Sequence, residues 1–345
     1  MEHIEYALRL DQDTDNGFSD IYLVHNSLPE LNIEQVSTEC EFLGKKLSAP
    51  LLINAMTGGH PDVVEINRSL ARAARITGIA MAVGSQKAGL ESPEVAFTYQ
   101  VAREENPAGV VLANLSAGDS WMEARAAVEM IEADALQFYL NVPQEIAMRE
   151  GERDFSGILK NIEQVNKTAG VPLIVKEVGF GMSMETVRQL AAAGISWIDI
   201  GGKGGTDFMA IEQMRGNLRN CREFQGWGLT TAVSLLEGLS LNLSLNFIAS
   251  GGIRTVPEIV KALVLGARLV GIARPFLRIL YEESEKKLIS YIEDIIRSMK
   301  IMMLMLGARR IDDLRLQPAV ITGSTADWLE KRGIDLTHYA QRFNS

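Results

Sequence analysis

The sequence predicts an α/β protein folded as a closed (β/α)8, or TIM, barrel with an N-terminal extension and C-terminal helices. Three observations carry that expectation. Short apolar runs recur eight times, and helical patterns lie between most neighbours. The runs are apolar nearly throughout rather than alternating, as in a parallel sheet covered on both faces. The last two runs end in glycine and arginine, where such barrels commonly hold a phosphate. A doubly wound open sheet is the competing architecture, and those last two strand ends are the main reason to prefer the barrel.

Residues 1–49 read as an extension packing on the barrel, 50–282 as the barrel and 283–345 as a C-terminal helical segment, all within one structural domain. Residues 26–30 (Asn-Ser-Leu-Pro-Glu) read as a turn. The first run, 50–56, leads through Thr57-Gly58-Gly59 into a helical pattern over 62–77. The other runs are 79–84, 109–114, 135–141, 172–178, 196–200, 246–250 and 268–272, with further helices expected at 184–193 and 256–265. The longest gap, 201–245, reads as a lid-like loop with some helix near 208–215. Beyond 282 the chain reads as helical, with Ile292, Ile295, Ile296, Met299, Met302 and Met303 on one apolar face.

A chain of 345 residues with 47% hydrophobic and 23% charged residues is long enough for a large core and too apolar for disorder. No apolar run is long enough for a membrane span, and the first residues lack a secretory signal. The net charge of −10 disfavours a general nucleic-acid binder, although a small-molecule phosphate can still bind at a local site built for it. Two cysteines, Cys40 and Cys221, give neither a disulfide framework nor a zinc site, so a reducing cytoplasm is expected.

In a barrel enzyme the chemistry gathers where strands end. Gly251-Gly252 end one run, and Ala273-Arg274-Pro275 end the next. Glycine lets backbone N–H groups approach an oxyanion, a helix N-terminus adds positive potential, and Arg254 and Arg274 suit bidentate contact with phosphate. Tight βα turns alone are the competing explanation. Lys176 interrupts the apolar stretch Ile174-Val175-Lys176-Glu177-Val178. A buried lysine needs a charge partner or a polar cavity, and the adjacent Glu177 faces the other way along a strand. Lys176 is therefore expected to face a cofactor, on which it could steady negative charge. Gln144 and Glu145 follow the fourth run. An acid in a phosphate-binding mouth is accommodated by Mg²⁺ bridging carboxylate and phosphate, although a helix-capping pair on the surface also fits. The loop from Gly201 to Thr206 has four glycines around Lys203 without Walker spacing, which fits a mobile turn as well as a ligand loop.

Read in order, these stations resemble the type 2 isopentenyl-diphosphate isomerase family. The matching residues are Asn54-Ala55-Met56-Thr57-Gly58-Gly59, Gly84-Ser85-Gln86, Asn141 with Gln144-Glu145, and Gly151 to Phe155. They continue with Lys176-Glu177-Val178-Gly179, Gly201 to Thr206, Trp227-Gly228, Ser250 to Arg254, Gly271 to Arg274 and Leu306 to Arg309. The resemblance implies a barrel that binds FMN and Mg²⁺, with NADPH reducing the flavin, and that interconverts isopentenyl and dimethylallyl diphosphate by a 1,3-allylic shift. Carried over, Ala55, Met56, Thr57, Ser85, Asn114, Lys176 and Thr206 would contact FMN, with Gly201 beside it. Gly252, Ile253, Arg254, Ala273 and Arg274 would hold its phosphate, and Glu145 would ligate Mg²⁺. His3 and Gln144 would face the substrate, Gln144 and Lys176 would serve catalysis, and the chain would form a homo-oligomer. Three departures stand out: the family's Arg-Lys pair would precede Met1, Tyr139 replaces a histidine, and Ser116 replaces a glycine. They motivate one alternative, a flavin-binding homologue with impaired substrate binding. A second alternative is an FMN oxidoreductase of the 2-hydroxy-acid oxidase type, which needs a histidine base before the seventh strand. None occurs from Phe224 to Leu245.

Overall fold

The computed structural model describes residues 14–214, 221–224 and 226–342. Three strands precede the barrel: β1 (Ile21–Leu23), β2 (Cys40–Phe42) and β3 (Lys45–Leu47). The barrel itself comprises β4 (Leu51–Ile53), β5 (Ala80–Ala82), β6 (Val111–Ser116), β7 (Ala135–Leu140), β8 (Leu173–Glu177), β9 (Trp197–Asp199), β10 (Asn246–Ser250) and β11 (Leu269–Ile272). Each pairs in parallel with its sequence neighbour, and β11 returns to β4 through the Ile272–Ile53 register, closing the sheet. All eight expected runs are strands, and most are a residue or more shorter than their apolar stretches. The first run loses most: Asn54 N still donates to Ile272 O at 2.9 Å, after which the chain turns outward.

Strand alternation sorts the interior into layers. Leu52, Leu112, Ile174 and Ile248 form one apolar cluster with Phe42 and Leu47 of the β2–β3 hairpin. The hairpin thus plugs the amino end of the barrel, where Phe42 meets Trp197 edge to face at 5.0 Å between ring centroids. Two residues further along the same strands stand Asn54, Asn114, Lys176 and Ser250, all of which line the open carboxyl end. The other faces of the strands pack on the surrounding helices in a larger apolar cluster.

The helix Val256–Leu265 coincides with its expected range, and Val64–Thr77 begins after a short 3-10 turn at Pro61–Val63. The sixth connection contains a helix at Phe208–Met214, with Arg215 outside the described residues, and a complete crossover helix at Thr231–Ser240. The tail departs from the all-helical expectation. After the helix Glu285–Leu306 it forms β12 (Ala319–Ile321), which pairs antiparallel with β1. That pairing joins opposite ends of the chain, so no local pattern signals it. Near the start of the described residues, Asn16 Nδ2 donates to Gly252 O at 2.8 Å and to Glu258 Oε1 at 2.7 Å, and Lys261 Nζ donates to Phe18 O at 2.8 Å.

Candidate active site

The carboxyl ends of the strands surround a cavity of about 420 Å³, within the size range of small-molecule sites. Ala55, Met56, Ser85, Asn114, Gln144, Glu145, Lys176, Gly201, Thr206, Gly252, Ile253, Arg254, Ala273 and Arg274 all line it. Thr57 does not: its hydroxyl donates to Asn67 Oδ1 at 2.6 Å, behind the wall of the site. His3 lies outside the described residues.

Three features shape this space for a ligand. At one side the loop after β10 interlocks with the loop after β9. Gly251 has φ +108° and Gly252 φ +70°, and a Cβ on either would overlap the carbonyl of Gly202 or Gly204. Arg254 ties the two loops together, donating from Nη1 to Gly252 O at 3.0 Å and from Nη2 to Gly204 O. The helix Arg274–Glu282 starts at the same side with no side chain capping it, so its positive end faces the cavity mouth. On the floor, Asn114 Oδ1 is buried with no hydrogen-bond partner and so offers an acceptor to a ligand donor. Lys176 lines the same cavity from β8, its side chain only 9% exposed.

Opposite, Asn141 ends β7 and Gln144 and Glu145 lie on the short helix Val142–Ala147. Glu145 Oε1 accepts from Asn141 Nδ2 at 2.8 Å and Oε2 from Glu152 N at 2.9 Å. Each oxygen retains a lone pair, which suits one carboxylate contributing to a Mg²⁺ otherwise held by phosphate and water. Among the described residues no cluster of three or more metal-ligating side chains occurs. Glu145 also borders a side cavity of about 200 Å³ that shares Tyr139, Asn141 and Glu145 with the main one.

Several lining residues escaped the sequence reading as site residues. Tyr139 donates its hydroxyl to Ser85 Oγ at 3.2 Å, and burial pushes that hydroxyl's pKa up to about 12. Glu177 is buried; that burial pushes it up to about 7 even though Oε2 accepts from the N–H groups of Gly179, Phe180 and Gly181. Below the cavity, Asp199 is a lone acid in the apolar strand β9. The signal was the one that flagged Lys176, an ion inside an apolar run.

Residues 137–322 match the model of the FMN-dependent dehydrogenase family. Solved mandelate oxidases share the fold. A variant with a monooxide FMN adduct aligns with a TM-score of 0.65 at 17% identity over 93% of this chain and 92% of that one. The fold, the glycine–arginine cradle and the family model together define an FMN-dependent barrel enzyme. Sequence relatives narrow this. Isopentenyl-diphosphate delta-isomerase of Moorella thermoacetica is 48% identical over 96% of this chain and 95% of its own, and that of Bacillus pumilus is 45% identical over 99% and 97%. The chain belongs to the isopentenyl-diphosphate delta-isomerase family.

Proposed function

We propose that the cavity binds FMN with its phosphate in the cradle of Gly252, Ile253, Arg254, Ala273 and Arg274, and isomerises isopentenyl diphosphate to dimethylallyl diphosphate. The observation that carries this reading is the convergence of that anion cradle, the unpartnered Asn114 Oδ1 and the buried Lys176 on one cavity. An isolated alkene is a weak base and its allylic C–H a weak acid, so the reaction needs a proton added at one end and removed at the other, away from water. Bound, reduced FMN supplies that acid–base chemistry, with NADPH as its reductant. The protein's part is to orient and to hold charge. Ala55, Met56, Ser85 and Thr206 bracket the flavin, Gly201 lets its loop approach, and Thr57 braces the wall through Asn67. Lys176 offers its ammonium to the negative ring and Gln144 faces the substrate, with His3 assigned to substrate binding. Glu145 ligates Mg²⁺, which anchors the diphosphate; binding energy from that remote group positions the reacting carbons.

No histidine lines the cavity among the described residues, which disfavours the oxidase alternative: His60 is an exposed helix cap, and His25 and His338 are also exposed. Residues 1–49, 50–282 and 283–345 serve here as parts of one domain, and the enzyme works in the cytoplasm as a homo-oligomer. The test is to incubate anaerobic, dithionite-reduced, FMN-loaded protein with Mg²⁺ and isopentenyl diphosphate. Dimethylallyl diphosphate is expected. Its absence from flavin-loaded protein would support the impaired homologue, and flavin reduction by a 2-hydroxy acid would support the oxidase.

A further inference from the structure

Lys176 is held by a polar layer that crosses the barrel beneath the cavity. Its register partners are Tyr139 on β7 and Asp199 on β9. Its Nζ lies 3.5 Å from Asn54 Oδ1 and 3.9 Å from Asp199 Oδ2. Asp199 is completely buried and fixed from three directions: Asn54 Nδ2 donates to Oδ2 at 2.8 Å, and the Ser250 hydroxyl and Gly201 N donate to Oδ1. Asn54 is itself fixed, since its Oδ1 also accepts from Gln137 Nε2 at 3.0 Å. The carboxylate therefore cannot move toward the ammonium, and the ammonium is drawn to the floor by two long contacts. An ammonium has three donors. Two contacts at such distances leave it able to make closer bonds toward the cavity above.

We propose that Asp199 is a positioning residue: anchored by Asn54, Ser250 and Gly201, it supplies the fixed counter-charge that holds the Lys176 side chain aimed at the ligand. The inference rests on reading the cavity as a flavin site. Glu177, next in the chain, cannot take over, because its carboxylate serves the N–H groups of residues 179–181. Tyr139 contributes a phenol that is neutral at working pH, and Glu145, Arg254 and Arg274 line other sides of the same cavity. Without Asp199, Lys176 is a buried cation lacking a counter-charge, and such a group gives up its proton more readily.

The test compares Asp199→Asn with the wild type. FMN affinity is followed by flavin fluorescence quenching from about pH 6 to about pH 9. The variant is expected to lose at least about fivefold more affinity across that range than the wild type. A packing defect would weaken binding equally at every pH, so parallel profiles overturn the proposal. A wild type that binds no FMN at any pH overturns the flavin reading instead. A second measurement, independent of flavin, is acylation of Lys176 in folded protein by acetic anhydride, followed by mass spectrometry against exposed Lys167. Faster labelling in the variant is expected, and equal rates overturn the proposal. If Asp199→Asn does not fold, Ser250→Ala, which removes one anchor of the carboxylate, should shift both readouts in the same direction by less; no shift overturns the proposal.

Discussion

Two carboxylates within one cavity do different work because their surroundings differ. Among the described residues Glu177 has no counter-ion, and burial raises it from an ordinary 4.5 to about 7 in the folded chain. A carboxyl whose folded pKa lies above its unfolded one favours folding fully below about pH 4.5, and that contribution is lost as pH rises through about 7. The lost contribution is about 3 kcal/mol. Glu177→Gln should remove this dependence, so the stability of wild type relative to variant should decline from acid to neutral pH. Denaturant titrations at several pH values would show it; parallel curves would contradict it. Glu145 instead faces open space with two donors already on it. Glu145→Gln should raise the Mg²⁺ concentration needed for turnover while FMN stays bound. An unchanged Mg²⁺ titration would argue against a metal ligand there.

At the scale of elements, the site depends on parts that contribute no lining residue. The β2–β3 hairpin closes the far end of the barrel with Phe42, which is fully buried against Leu47 and Trp197. Phe42→Ala should cost about 3–5 kcal/mol of stability in urea unfolding, the usual cost of emptying a buried aromatic site. FMN affinity of the folded variant should be unchanged, because the hairpin and the cradle lie at opposite ends of the strands. The paired glycine loops after β9 and β10 behave differently. Their backbones touch where any side chain would intrude, so their packing and the anion cradle are one structure.

For the whole molecule, the barrel gathers on one rim residues from eight strand ends and leaves a cavity through its carboxyl face. A ligand that fills this cavity binds only the folded chain and must stabilise it. At a hundredfold excess of free FMN over its dissociation constant, the gain is about 2.7 kcal/mol. It should appear as a raised thermal midpoint that grows with FMN concentration. A midpoint indifferent to FMN would count against the cavity as a flavin site. Among the described residues no helix is long and apolar enough to cross a membrane.

By itself the sequence determined the barrel and most of the residues on its rim, because strand burial, βα turns and glycine-rich strand ends are written in contiguous residues. Lys176 was legible because an ion inside an apolar run has few places to go. Asp199 carries the same mark, but its meaning depends on β8 lying beside it. The β1–β12 pair, the hairpin plug and the turning of Thr57 toward Asn67 were decided only by tertiary structure. The first two are contacts between segments distant in the chain, set by which surfaces remain to be covered once the barrel has closed; the third spans only ten residues but depends on how the loop after β4 packs on the following helix.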